Sequence, residues 1–288
     1  LPKKTVDETI EIAPVAMGTI KCYLVGTSPL IMHRFPRKAW EQLLFPKGRA
    51  NAAEKADNLK HDPLMEYRES VYRNRDQRQP TAIHLPAGAF TKAIASAALD
   101  LPGATKAQIL RLVSVKSTQI NLYGIPQMYM AMTRSSDIAR TPDVRTRAVF
   151  PEWACEVEVG FVSTLVKQNQ VVNLLAAAGV IVGIGDWRPQ KGGAFGRFDV
   201  VTPDSTDYQR IVRTQARGAQ LDGLEQPGFY DVDTDELYSW FLDEADRREK
   251  TVPSTKAPRG KAIVPSPAVI EQVAKTRRNG RATTRQGR

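Results

Sequence analysis

Residues 183–198, Gly-Ile-Gly-Asp-Trp-Arg-Pro-Gln-Lys-Gly-Gly-Ala-Phe-Gly-Arg-Phe, place five glycines in one short stretch. Such a stretch continues neither a helix nor a strand and must fold as a tight, irregular loop. Three cations (Arg188, Lys191, Arg197) and three aromatics (Trp187, Phe195, Phe198) stand among the glycines. An apolar run over 171–180 reads as a helix before the loop, and Asp199-Val-Val201 reads as a strand after it. Glycine lets backbone approach a partner closely, and successive freed N–H groups cradle an oxyanion that cations neutralise. The expectation is a phosphate-holding loop around Gly192 and Gly193; a glycine-rich turn without a ligand is the other reading.

Two nucleotide motifs are excluded. The chain has no Gly-Lys-Ser/Thr, so it has no P-loop. The dinucleotide fingerprint needs its glycines between a strand and a following helix, the reverse of the order here.

Charge narrows the class once it is located. The net charge is +10, yet residues 251–288 hold nine cations against Glu271, a net of +8, which leaves +2 for residues 1–250. The tail also carries Pro253, Pro258, Pro265 and Pro267 and few apolar residues, a composition expected to be disordered when free. It reads as a basic arm for nucleic acid or as a solubilising tail. Residues 222–250 are the reverse: Asp222 to Asp246 holds nine acids and no cation. Glu236 stands where a calcium loop starting at Asp231 needs glycine, so a calcium site is a poor fit. An acidic helix over 235–248, capped near Thr234, fits better, either as a solvated face or as a dock for a basic surface of a neighbouring copy. Cys22 and Cys155 suit neither a disulfide scaffold nor a zinc site and suggest the cytoplasm. No apolar run approaches the ~18 residues of a membrane span.

Along the chain, Gly18 to Gly26 alternates as a strand, broken by Thr27-Ser-Pro29. Residues 30–80 read as a charged insertion with helical character over 51–60 and 62–73. Pro86 to Leu99 reads as a small-residue helix, 110–122 as a strand or hairpin, and Trp153 to Val162 as a strand. Residues 123–151 show few core signals but carry Arg134, Arg140, Arg145 and Arg147. A surface helix over 208–220 closes a core spanning residues 1–221. Strand, helix, strand, strand, helix, strand is the ferredoxin-like order, shared with RNA-recognition folds, and it makes the fold α+β.

Three marks in that order resemble the repeat-associated RNA-binding superfamily of CRISPR proteins. They are Thr27-Ser-Pro-Leu30 after the first strand, Leu85-Pro-Ala-Gly-Ala-Phe-Thr-Lys92 opening the first helix, and Gly193-Ala-Phe-Gly-Arg-Phe198 before the last strand. Lys92 stands about one residue later than in the usual pattern. The resemblance implies a guide-RNA-coating backbone subunit that stacks head-to-tail with its own copies and other effector-complex subunits. Residues 123–151 would then be a thumb and 30–80 a finger-like insertion. A phage-type protein that binds or anneals single-stranded DNA, and a structural protein whose basic tail touches a genome, are the alternatives.

Single-strand binding needs cations and exposed π-faces. The candidates are His33, Arg34, Arg37, Lys92, Arg134, Arg140, Arg145, Arg147, Trp187, Arg188, Lys191, Gly192, Gly193, Phe195 and Arg197. Phe195 and Phe198 suit core packing as well as stacking. No cofactor or metal is expected. Catalysis is disfavoured: His84 alternates with Ile83 and Leu85 as a structural histidine does, His33 lacks a partner in sequence, and Asp57 and Asp62 read as helix-face or cap residues.

Overall fold

The computed structural model describes residues 14–44, 61–134 and 142–251. The chain opens with β1 (Met17–Gly26), β2 (Leu30–Met32), α1 (Arg37–Leu44) and α2 (Pro63–Glu69). Next come β3 (His84–Pro86), α3 (Ala87–Ala97), α4 (Lys106–Leu112), β4 (Val113–Val115) and β5 (Gln119–Tyr123). Two long strands, β6 (Gln127–Arg134) and β7 (Pro142–Phe150), precede β8 (Ala154–Val162) and α5 (Gln168–Ala177). A π-turn (Ala178–Val182) leads to the glycine-rich loop and its 3-10 turn (Pro189–Lys191). The chain continues through β9 (Phe198–Val201), α6 (Thr206–Thr214), α7 (Arg217–Glu225), β10 (Gly228–Phe229) and α8 (Val232–Thr251). By compactness the chain divides into Leu1–Phe241 and Leu242–Arg288.

The larger sheet runs β3-β5-β8-β1-β9, with β4 also on β8. Four of its strands, β5-β8-β1-β9, pair antiparallel. Numbered by their place in the repeating order, they give the 2-3-1-4 arrangement of a ferredoxin-like sheet, with α3 and α5 as its two helices. The fold is α+β. Buried Ala87, Phe90, Ala93, Ile94 and Ala97 recur at helical spacing on α3. They pack with Cys22, Leu24, Val157, Val159, Leu175 and Phe198 in one core. Burial pushes the Cys22 thiol up to about 11, and it raises the Cys155 thiol as well.

The other face of this sheet is partly roofed by α6, whose Tyr208 and Ile211 pack on Ala154 beside Tyr23 and Tyr123. RNA-recognition folds stack bases on that face. Here helix covers part of it, and on the remainder Glu158 stands beside an ion pair of Glu156 with Lys21 at 3.1 Å.

Residues 123–151 do not form a core-poor extended loop. They build a second sheet, β10-β6-β7-β2, in which β6 and β7 pair antiparallel from Gln127↔Val149 to Arg134↔Pro142. Met128 and Met130 point inward at every second position, and Ala148, Val149 and Phe150 are buried on β7. A methionine alternation carries little β-propensity, so packing rather than propensity makes the strand.

Other expectations shift in smaller ways. Residues 106–112 are a helix with a Thr105–Gln108 capping box, where the sequence suggests a strand from 110 onward. The single helix over 208–220 is two, α6 and α7. Asp231, not Thr234, caps α8: its Oδ1 accepts the Thr234 N–H at 2.8 Å, while the Thr234 hydroxyl is buried and accepts from Met130 N at 3.2 Å. The helix expected over 62–73 ends at Glu69, and Asp62 caps it by accepting from Met65 N at 3.0 Å. The helix expected over 51–60 and the tail over 252–288 lie outside the described residues.

Candidate nucleic-acid interface

The glycine-rich loop is stitched to the turn between β1 and β2. Gly196 N donates to Pro29 O at 2.7 Å, Arg197 N to Ser28 Oγ at 2.9 Å, and Thr27 N to Arg197 O at 2.9 Å. Within the loop, Ile184 N donates to Gly196 O at 2.9 Å, Gly193 N to Arg188 O at 3.1 Å and Phe195 N to Trp187 O at 3.3 Å. Gly192 N likewise donates to Pro189 O at 2.9 Å.

The amides expected to cradle an oxyanion at Gly192 and Gly193 are therefore turned inward. The glycines serve closure. A Cβ on Gly193 would lie 1.6 Å from Trp187 O, and one on Gly196, at φ +73°, would lie 1.8 Å from Ile184 O. Gly192, at φ +77°, faces open space. Gly192→Ala should cost about 1–2 kcal/mol, the left-handed penalty alone. Gly193→Ala should cost more and broaden the loop's resonances, because backbone must move; amide spectra and melting curves of the two variants measure the difference.

Trp187 is the exposed centre of the loop. It adopts a positive φ of 49°, alone among the described non-glycine residues. A bulky residue in that region carries about 1–3 kcal/mol of strain and persists only where its surroundings over-determine it. Its indole is 47% exposed and lies nearly parallel to Phe195, with an interplanar angle of 18° and centroids 6.1 Å apart. Phe195 in turn neighbours Tyr129 at 6.3 Å and Tyr230 at 6.4 Å. Sequence reasoning passed over both tyrosines. The signal for Tyr129 is its place on β6, directly across from Arg147.

Arg147 does not reach the surface. It is 4% exposed, its guanidinium donates to Asp186, and its Nε has no partner among the described residues. Loss of hydration pulls its pKa down, against the pull of Asp186. Its role is to tie the loop to β7, so it leaves the set of residues that touch a ligand directly. Arg145, two residues along on the same face, is exposed. His33, just past β2, is within electrostatic reach of Arg145, Arg147 and Asp186. Loss of hydration and then Arg147 hold its imidazole below the ordinary value.

The loop and one face of the β6–β7 ribbon thus bring together His33, Arg145, Arg147, Trp187, Arg188 and Phe195. Arg188 is partly engaged at home, donating to Gly185 O at 3.1 Å and Gln190 Oε1 at 3.0 Å. Lys191 and Arg197 are exposed on the loop. The other candidates stand apart. Strand alternation sends Arg134 to the face opposite Arg145. Arg34 is the cation felt by buried His84, whose pKa is lowered first by loss of hydration. Arg37 opens α1, its backbone N–H donating to Glu69 at 2.9 Å. Lys92 is exposed on α3, which packs on α4, α5 and the π-turn. Arg140 lies outside the described residues.

Solved structures similar to this chain include the following two. One is the crystal structure of Cmr6 from Pyrococcus furiosus, at 9% identity over 65% of this chain and 98% of that one, with a TM-score of 0.31. The other is a cryo-EM structure of a type III-B Cmr-beta complex bound to cognate target RNA. It is 10% identical over 63% of this chain and 59% of that one, with a TM-score of 0.30. No family model and no curated protein matches the chain. The strand order and register of the larger sheet are what make the fold ferredoxin-like. The resemblance to the repeat-associated RNA-binding superfamily stands on the chain's own three marks, now placed at the β1–β2 turn, the start of α3 and the loop before β9.

Proposed function

We propose that this chain binds single-stranded RNA along the glycine-rich loop and the adjoining face of β6 and β7, as a coating subunit of a CRISPR-type ribonucleoprotein. The observation that carries the reading is Trp187, held in a strained backbone conformation with its indole exposed. Exposed Arg145, Lys191 and Arg197 lie on the same two elements. A base stacks on an indole whatever its sequence, and exposed cations track the phosphates. The order of the superfamily's marks supplies the RNA and the CRISPR context. The covering of the sheet face by α6 supports placing the ligand here instead.

The role is one of binding. His84 is buried in the fold, Asp62 is engaged in capping α2, and His33 serves the anion-facing surface, so no catalytic group is assigned. The chain works in the cytoplasm, without a cofactor, in contact with further copies of itself and other subunits.

Fluorescence anisotropy of a labelled oligouridylate, titrated at several salt concentrations, tests the reading. Replacing Arg145, Lys191 and Arg197 together with serine should weaken binding and flatten the plot of log K against log salt, by about 0.7 for each phosphate no longer neutralised. An affinity and slope equal to those of the unaltered chain would remove the loop and ribbon as the binding surface. An oligothymidylate of equal length, run in parallel, tests RNA against DNA; equal affinity for both would favour the phage-type alternative.

A further inference from the structure

Asp186 is the only acid in the loop 183–198, and it lies within a surface otherwise suited to anions. By charge alone it is misplaced, because a carboxylate there repels the phosphates that Arg145, Lys191 and Arg197 would attract. Its bonds say what it does. Its N–H donates to Ile31 O at 3.0 Å, fixing the loop to β2. Its Oδ1 accepts the backbone N–H of Trp187 at 3.0 Å, and its Oδ2 accepts from the Arg147 guanidinium. One carboxylate therefore joins the strained residue to a buried cation on β7, and both of its oxygens are engaged.

We infer that Asp186 is a positioning residue that holds Trp187 in its left-handed conformation and so aims the indole at an incoming base. Three anchors act on the two residues. Ile31 O fixes the Asp186 backbone, Arg147 fixes the Asp186 side chain, and that side chain fixes the Trp187 N–H. On the far side, Trp187 O accepts from Phe195 N at 3.3 Å, and Gly193 leaves room where a Cβ would strike that oxygen. A conformation disfavoured for tryptophan needs this degree of constraint. Burial of Arg147 makes the constraint stiff, because a buried guanidinium deprived of its carboxylate is left uncompensated. The inference rests on Trp187 being the stacking platform proposed above.

The test turns on sign. Asp186→Ala and Asp186→Asn each remove a negative charge from the binding face, so electrostatics alone predicts tighter binding of oligouridylate at low salt. Positioning predicts the opposite: Asp186→Ala binds about tenfold more weakly, a fraction of the full stacking contribution, and Asp186→Asn, which loses the Arg147 anchor but keeps an acceptor for the Trp187 N–H, binds more weakly by a smaller factor. In the Trp187→Ala background the same Asp186 changes should cause no further loss, the signature of residues acting as one unit. Asp186→Asn retains an oxygen that can accept the Trp187 N–H, so it is the variant expected to keep its fold if the alanine variant does not.

Acrylamide quenching of the Trp187 emission, obtained by difference against Trp187→Phe because the chain also contains Trp40, Trp153 and Trp240, provides a readout independent of RNA. It should change in both Asp186 variants. Unchanged or tighter binding together with unchanged quenching overturns the inference. If Trp187→Ala leaves affinity intact, the RNA-stacking reading fails by itself, and quenching alone then decides whether Asp186 positions the indole.

Discussion

Trp187→Ala should weaken binding of a short oligouridylate by roughly 1–3 kcal/mol, or about five- to 150-fold, and leave its salt dependence unchanged. The free energy comes from a π-face, so no counterion is released or retained when the ring is removed. The charge variant of Arg145, Lys191 and Arg197 should behave in the complementary way, losing slope as well as affinity. Trp187→Gly adds a thermodynamic check. Glycine tolerates the observed φ of 49° without a steric penalty, so this variant should melt no lower than the unaltered chain while binding as poorly as the alanine variant. A large fall in melting temperature for Trp187→Gly would mean that the indole holds the loop together and would remove the case for a strained, exposed platform.

Gln220→Leu should produce the largest loss of stability, about 3 kcal/mol or more from the unfolding free energy, measured by urea titration. Gln220 is fully buried at 0% exposure. Its Oε1 accepts from Ala82 N at 2.8 Å and Ile83 N at 3.2 Å, and its Nε2 donates to Leu122 O at 2.6 Å and Gly124 O at 3.1 Å. Leucine has similar volume but satisfies none of these, and each buried polar group left unpaired costs about 1–3 kcal/mol. Gln220→Glu should be nearly as harmful, because it keeps the acceptor, loses the donor and buries a charge. A leucine variant as stable as the parent would mean that water replaces the amide, a demanding outcome for a side chain with no exposed surface.

The ferredoxin-like order was legible because its elements speak through local periodicity. Gly18 to Gly26 and Trp153 to Val162 alternate, and Ala87, Phe90, Ala93, Ile94 and Ala97 recur at helical spacing. The second sheet was not legible, because Met128, Met130 and Met132 give a weak strand signal, and its outer strands, β10 on β6 and β2 on β7, come from distant parts of the chain. The site divides in the same way. Trp187 and Phe195 announced themselves by sitting among glycines and cations.

Arg147 could not be told from Arg145 by sequence. Alternation puts both on one face of β7, and what sets Arg147 apart is its pairing with Asp186, 39 positions away. The glycines were legible as glycines, yet their purpose was not. A loop that opens its amides to a ligand and a loop that closes them on itself demand the same residue. Thr234 misled for a related reason: a threonine at a helix start reads as a cap until the strand beside it claims the hydroxyl.

The joining of the loop to the β1–β2 turn has a kinetic consequence. Ser28 and Arg197 are 169 positions apart, so Trp187 cannot be presented until the first and last strands of the larger sheet have met. Pairings of such long sequence separation form slowly, because the intervening chain must first be confined. A chain still emerging from the ribosome would display arginines on β6 and β7 well before it had a shaped loop to accompany them. RNA capture in the proposed mode would therefore belong to finished molecules, and synthesis itself would keep incomplete ones out of the assembly.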